Sequence, residues 1–164
     1  MAALRVSRLY ISQVNIDENK ARKLAEPFLV KSVIKTFMII IEDHSSVAQC
    51  DAVMWLFANL MYSAEIEFGF LSQKDISSIL NLLKICNDNP TKETLELADK
   101  VCLLFQNIMY HWVEYRDDIL NSGGLEEFSI ALDLFTNEFS HLNNKSCFAC
   151  LNILSIKFEN FQQE

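Results

Sequence analysis

Asn107-Ile108-Met109-Tyr110-His111-Trp112-Val113-Glu114-Tyr115-Arg116-Asp117-Asp118-Ile119-Leu120-Asn121-Ser122-Gly123-Gly124-Leu125 contains the joints of three helices. Its first residues close a helix whose apolar positions run through Leu95, Ala98, Cys102, Phe105 and Ile108. A short helix follows, and Gly123-Gly124 breaks the chain before a helix through Phe128, Ala131, Leu132 and Phe135. The asparagine–aliphatic pair at its head recurs as Asn15-Ile16, Asn59-Leu60 and Asn152-Ile153, so that successive asparagines are 44, 48 and 45 residues apart. A fixed period of ~40–47 residues is the mark of armadillo and HEAT solenoids, in which every unit presents the same helix on one surface.

Outward from this stretch the pattern holds. Phe28, Leu29, Val33, Ile34, Phe37, Ile40 and Ile41 form a helical stripe, with Pro27 suited to the first turn. Ile76, Ile79, Leu80, Leu82 and Leu83 form another, opened by Ser72 with Asp75 three residues on, as in a capping box. Asn89-Pro90 reads as an N-cap and first-turn proline for the helix ending near Asn107, and Asn143 as a cap for the last helix. Each period is a short, a medium and a long helix, with the asparagine in the third. That unit favours armadillo over two-helix repeats. The expected fold is all-α, a right-handed armadillo superhelix of about three units in one domain. The units span roughly 18–63, 64–112 and 113–158, after the tail of another at 1–17.

Composition agrees. Apolar residues make up 51% of the 164, with only 3 Gly and 2 Pro. No apolar run is long enough to cross a membrane, and the first residues lack the features of a signal peptide. The five cysteines are scattered in apolar contexts, which reads as reduced thiols in a nuclear or cytoplasmic protein. Cys147 and Cys150 have no second pair for a zinc site. His44, His111 and His141 have no nucleophile motif beside them, and no Gly-rich phosphate loop is present. Neither enzyme, cofactor nor metal is expected. The net charge of −8 divides unevenly. Residues 1–35 hold seven Lys/Arg and three Asp/Glu, a balance of +4, which leaves −12 on residues 36–164. Direct nucleic-acid binding is disfavoured, and a basic protein segment is the better partner.

At this point the residues resemble a known family. Asn107-Ile108, a five-residue spacer, Glu114-Tyr115-Arg116-Asp117, an aliphatic pair and Ser122-Gly123-Gly124-Leu125 are similar to an importin-α armadillo repeat. Gln49-Cys50-Asp51-Ala52-Val53-Met54-Trp55, with Asn59 one turn on, resembles that family's third helix with one extra residue before the tryptophan. Asn15-Ile16-Asp17-Glu18 is similar to the segment leading into its first full repeat. The resemblance covers most of the chain. It implies an adapter for nuclear import that holds basic localisation signals in a concave groove. In that family tryptophans wall slots for Lys and Arg stems, asparagines bond the peptide backbone, and acidic residues attract the charged heads. Of the tryptophan series only Trp55 is kept, with Ile11, Leu103 and Phe148 at the matching positions. Ser63, His111 and Ile156 stand where acids would follow the asparagines. No importin-β-binding segment is expected before residue 4. The departures imply a shortened, diverged relative or a fragment.

The residues expected to bind peptide are Trp55, Asn59, Asn107 and Asn152, aided by Asp51 and Asp99, each two turns before its asparagine. A carboxamide can donate to a carbonyl and accept from an N–H at once. It can therefore hold an extended backbone without reading its sequence. The competing expectation is that the asparagines buttress neighbouring helices. The same chain would then be a scaffold with a vestigial groove, binding a folded partner on its outer or end surfaces. Both ends carry apolar side chains without a covering unit. Leu4, Val6, Leu9, Tyr10 and Val14 lie at the start, and Phe148, Leu151, Leu154, Phe158 and Phe161 at the finish. A second copy or a partner is expected to cover one end, with Leu154, Phe158 and Phe161 as interface residues.

Overall fold

A computed structural model describes residues 27–43, 46–63, 69–137 and 145–161 of the chain. Among them are seven α-helices and no strand. In chain order these are α1 (Pro27–Asp43), α2 (Val47–Ser63), α3 (Gln73–Asp88), α4 (Lys92–His111), α5 (Tyr115–Asn121), α6 (Gly124–Asn137) and α7 (Lys145–Phe161).

The local chemistry accounts for most boundaries. α1 starts at Pro27, whose missing N–H is not needed in a first turn. At the head of α3 the Ser72 hydroxyl accepts from the Asp75 N–H at 3.2 Å, while Asp75 Oδ2 accepts from the Ser72 N–H at 2.7 Å. α4 departs from expectation at its start. Its N-cap is Thr91, reciprocally bonded with Thr94, and not Asn89. Asn89 instead ends α3, its Nδ2 donating weakly to the Ile85 carbonyl at 3.4 Å. Gly123 takes φ +88°, which an L side chain rarely adopts. A Cβ on Gly124 would lie 2.5 Å from Ile119 Cγ2 and 2.8 Å from the Ile119 carbonyl oxygen, so α5 and α6 pack this closely only around glycine. The expected tail at 1–17, Asn15 and Asn143 fall outside the described residues.

The helix contacts sort into two rows. α2 packs on α4 and α4 on α7, while α1 packs on α3 and α3 on α6. Across the rows α1 meets α2, α3 meets α4 and α6 meets α7, and the short α5 rests on α3, α4 and α6. The buried side chains form one continuous core. Phe57, Phe105, Phe128 and Phe135 are fully buried in it, each contributing roughly 1.5–3 kcal/mol. Phe37 meets Phe57 at 5.5 Å between ring centroids, and Phe105 meets Phe128 edge-on at 5.5 Å.

The Glu-Tyr-Arg-Asp stretch does structural work. Tyr115 is buried, and its hydroxyl accepts from the backbone N–H groups of Gly69 at 3.0 Å and Leu71 at 2.9 Å. Its ring stacks edge-on against Phe70 at 5.2 Å. The next residue, Arg116, reaches back with Nε and Nη2 to the Met109 carbonyl, at 3.2 and 3.0 Å. That closes the end of α4, where carbonyls lack helical partners. One residue thus fastens the chain before α3, and its neighbour caps α4.

Candidate peptide-binding face

Asn59, Asn107 and Asn152 lie on α2, α4 and α7, the three helices of one row. Two side-chain contacts fix how α2 and α4 are set. Lys100 Nζ donates to Asp51 Oδ1, and Asn107 Nδ2 donates to the Ala58 carbonyl at 2.8 Å. Both join residue n of α2 to residue n+49 of α4, seven residues apart. A constant difference requires the two helices to run parallel, since an antiparallel pair would keep a constant sum. From α4 to α7, Cys150 Sγ donates to the Cys102 carbonyl at 3.2 Å, a step of 48.

Positions i, i+4 and i+7 lie on one side of a helix. On α2 these are Trp55, Asn59 and Tyr62; on α4 Leu103, Asn107 and Tyr110; on α7 Phe148, Asn152 and Ser155. Trp55 and Leu103 are half-buried against the core, whereas Phe148 is 55% exposed. Asn59 and Asn107 are half-buried, and Asn152 is exposed. Tyr62 and Tyr110 are exposed to 68% and 76%. Each helix of the row therefore carries such a set of three side chains, which the core leaves at least partly open.

The asparagine amides are not alike. Asn59 Nδ2 donates to the Trp55 carbonyl of its own helix at 2.6 Å, which holds it beside the indole. Asn107 spends an N–H on Ala58 across the helix pair and keeps Oδ1 without a partner among the described residues. The two acids are also held. Asp51 is paired with Lys100, both largely buried. Asp99 is half-buried, one carboxylate oxygen having no partner among the described residues. Burial pushes its pKa up to about 6, opposed by the neighbouring Lys100. Asp51 is therefore a compensated charge, whereas Asp99, with its pKa at about 6, is still largely ionised at neutral pH.

At the end of the row one expectation is corrected. Leu154 is fully buried within the chain's own core, so it is not an open interface residue. It falls on the side of α7 that meets α4 and α6 rather than on the open side with Phe148. The side chains of Phe158 and Phe161 are outside the described residues. The thiols of Cys102, Cys147 and Cys150 pack together where α4, α6 and α7 meet, with Cys147 Sγ donating to the Phe128 carbonyl at 3.0 Å. Burial raises the pKa of Cys150, and the Cys147 thiol and burial together raise that of Cys102. Among the described residues no group of three or more His, Cys, Asp or Glu side chains is placed to hold a metal ion, and no helix is long and apolar enough to cross a membrane.

Three participants escaped the sequence reading. Tyr62 and Tyr110 repeat at the same 48-residue spacing as Asn59 and Asn107, so their signal was present. Lys100 had none, because its partner is 49 residues away. Comparison with protein-family models, characterised proteins and solved structures yields no match to this chain.

Proposed function

We propose that the chain is a non-catalytic protein-binding module that holds an extended, basic segment of a partner along the α2–α4–α7 face. In this reading the two rows of helices are the outer and inner layers of about three armadillo units in a right-handed superhelix, resembling importin-α. The observation that carries it is the parallel register of α2 and α4, with a partly open asparagine at the same level of each. Packed helices are ~8–10 Å apart. An extended peptide advances ~3.3 Å per residue, so successive asparagines meet it every two or three residues. Trp55 walls a slot for an aliphatic stem, and the balance of −12 on residues 36–164 draws a basic segment in. Five buried, unpaired thiols suit a reducing nuclear or cytoplasmic setting.

The test is titration of the purified chain with a Lys/Arg-rich peptide. Weak, salt-sensitive binding is expected, reduced at least several-fold by Asn59→Ala with Asn107→Ala and by Trp55→Ala. Thermal denaturation of each variant separates lost contact from lost folding. Unchanged affinity in the folded double variant refutes the groove.

A second reading is favoured by one specific observation. The Asn107 amide is bonded to Ala58, which is what a buttress does. The chain would then be a scaffold that binds a folded partner through its outer or end surfaces, with nuclear transport no longer implied. Groove variants would leave partner affinity unchanged, while substitutions on the outer helices would abolish it.

A further inference from the structure

Resting on the groove reading above, we infer that Tyr62 and Tyr110 form a second aromatic row that gives the face a preference for arginine over lysine in the bound segment. Extending the register of n to n+49 from Asp51/Lys100 and Ala58/Asn107 places Tyr62 level with position 111, one residue from Tyr110. The two rings are thus neighbours across the helix pair, in the last turn of each helix. They are among the most exposed large side chains of the described residues. Among the described residues the Tyr110 ring meets one other ring, His111, edge-on at 5.2 Å. Helices ~8–10 Å apart leave room between such rings for a side chain of the partner.

The chemistry of this end selects the guest. After Asp51, α2 carries no further carboxylate, and after Asp99 neither does α4. Asp51 is itself already paired. A cation drawn in by the net acidic chain therefore finds aromatic faces at this end and no carboxylate from either helix. An ammonium is a compact, strongly hydrated point charge that gives up water for a carboxylate more readily than for a ring. A guanidinium is planar and more weakly hydrated, and it stacks on aromatic faces. The Met109 carbonyl at the end of α4 is already taken by Arg116, so of the groups that these two helices present here the rings are the ones open to a guest. The occupant is an arginine-rich extended segment.

The test compares two peptides of equal length and charge, one with arginines and one with lysines, by fluorescence anisotropy with the full chain. A neutral proline-rich peptide serves as a third arm. Arginine is expected to bind about five-fold more tightly than lysine. Tyr62→Ala with Tyr110→Ala brings that ratio to one, while Tyr62→Phe with Tyr110→Phe preserves it, because the ring face and not the hydroxyl does the selecting. Equal affinities in the unaltered chain, or a ratio that survives the alanine pair, overturns the inference. So does tighter binding of the proline-rich peptide. If arginine and lysine bind equally and both are weakened by Asn59→Ala with Asn107→Ala, only the tyrosine preference falls. If no peptide binds, the groove reading falls and takes this inference with it.

Discussion

Changing Tyr115 to phenylalanine removes one oxygen and leaves the ring. That oxygen accepts from the N–H groups of Gly69 and Leu71, 46 and 44 residues earlier in the chain. Leu71 is buried, so its N–H would be left without a partner, at about 1–3 kcal/mol. Gly69 is exposed, and its N–H turns to water at little loss. The edge-on contact with Phe70 is kept. The expected loss is therefore about 2 kcal/mol, or a fall in Tm of roughly 4–8 °C for a chain of this size. Urea unfolding followed by circular dichroism measures it, with an unchanged slope against urea. Tyr62→Phe, whose hydroxyl is on an exposed ring, is the control and should change stability by under ~0.5 kcal/mol. Burial raises the Tyr115 pKa above its ordinary value, with the backbone bonds acting against it. An acid with a raised folded-state pKa contributes stability that is full below its unfolded pKa and is lost as pH rises through the folded one. Stability of the unaltered chain should accordingly decline above about pH 10, and part of that decline should vanish in Tyr115→Phe. A loss below ~0.5 kcal/mol at neutral pH would refute the claim that this hydroxyl fastens the turn.

Gly124→Ala forces a Cβ against the Ile119 carbonyl and should destabilise by about 1–3 kcal/mol in the same urea assay, outweighing any helix-propensity gain. Asp99→Asn should stabilise the chain at pH 7 by about 1–2 kcal/mol, after allowance for the carboxylate's part-exposure, and do nothing near pH 3; the raised Asp99 pKa means that the native state loses stability as pH climbs through about 6. All five thiols should resist a thiol-reactive dye in the folded chain and react fully in guanidinium, since each cysteine is buried and burial pushes Cys86 up to about 12. Sedimentation at micromolar concentration should show self-association through the exposed side of α7, which Phe148→Glu abolishes.

The all-helical fold was legible because its signals are local. The Ser72–Asp75 box, Pro27, the glycine pair and the apolar stripes each act within a turn or two. The start of α4 was misread because two caps compete within three residues. Asn89 with Pro90 has the right types, but Thr91 and Thr94 satisfy each other's backbone N–H groups, and Asn89 is used to end α3. For the candidate face, the period of the asparagines showed which helices share a row and hence which residues belong together. It could not show what each amide does. Asn59 bonds its own helix, Asn107 bonds its neighbour and Asn152 is exposed, differences set by packing between residues about 49 positions apart. The same non-local packing buried Leu154 while leaving Phe148 open.

The two ties between α2 and α4 work like the marks of a vernier. Lys100 and Asn107 are seven residues apart, close to two full turns, and so are their partners Asp51 and Ala58. One residue inserted between positions 101 and 106 would turn everything after it by ~100°. Asp51–Lys100 or Ala58–Asn107 could then be kept, but not both. The same insertion between Trp112 and Glu114, outside any helix, leaves both ties untouched. The interior of α4 should accordingly be closed to changes in length over evolutionary time, and the short loop after it is constrained separately, by the Arg116 bonds to Met109. A library of single-residue insertions scored for folding would trace that boundary along the chain.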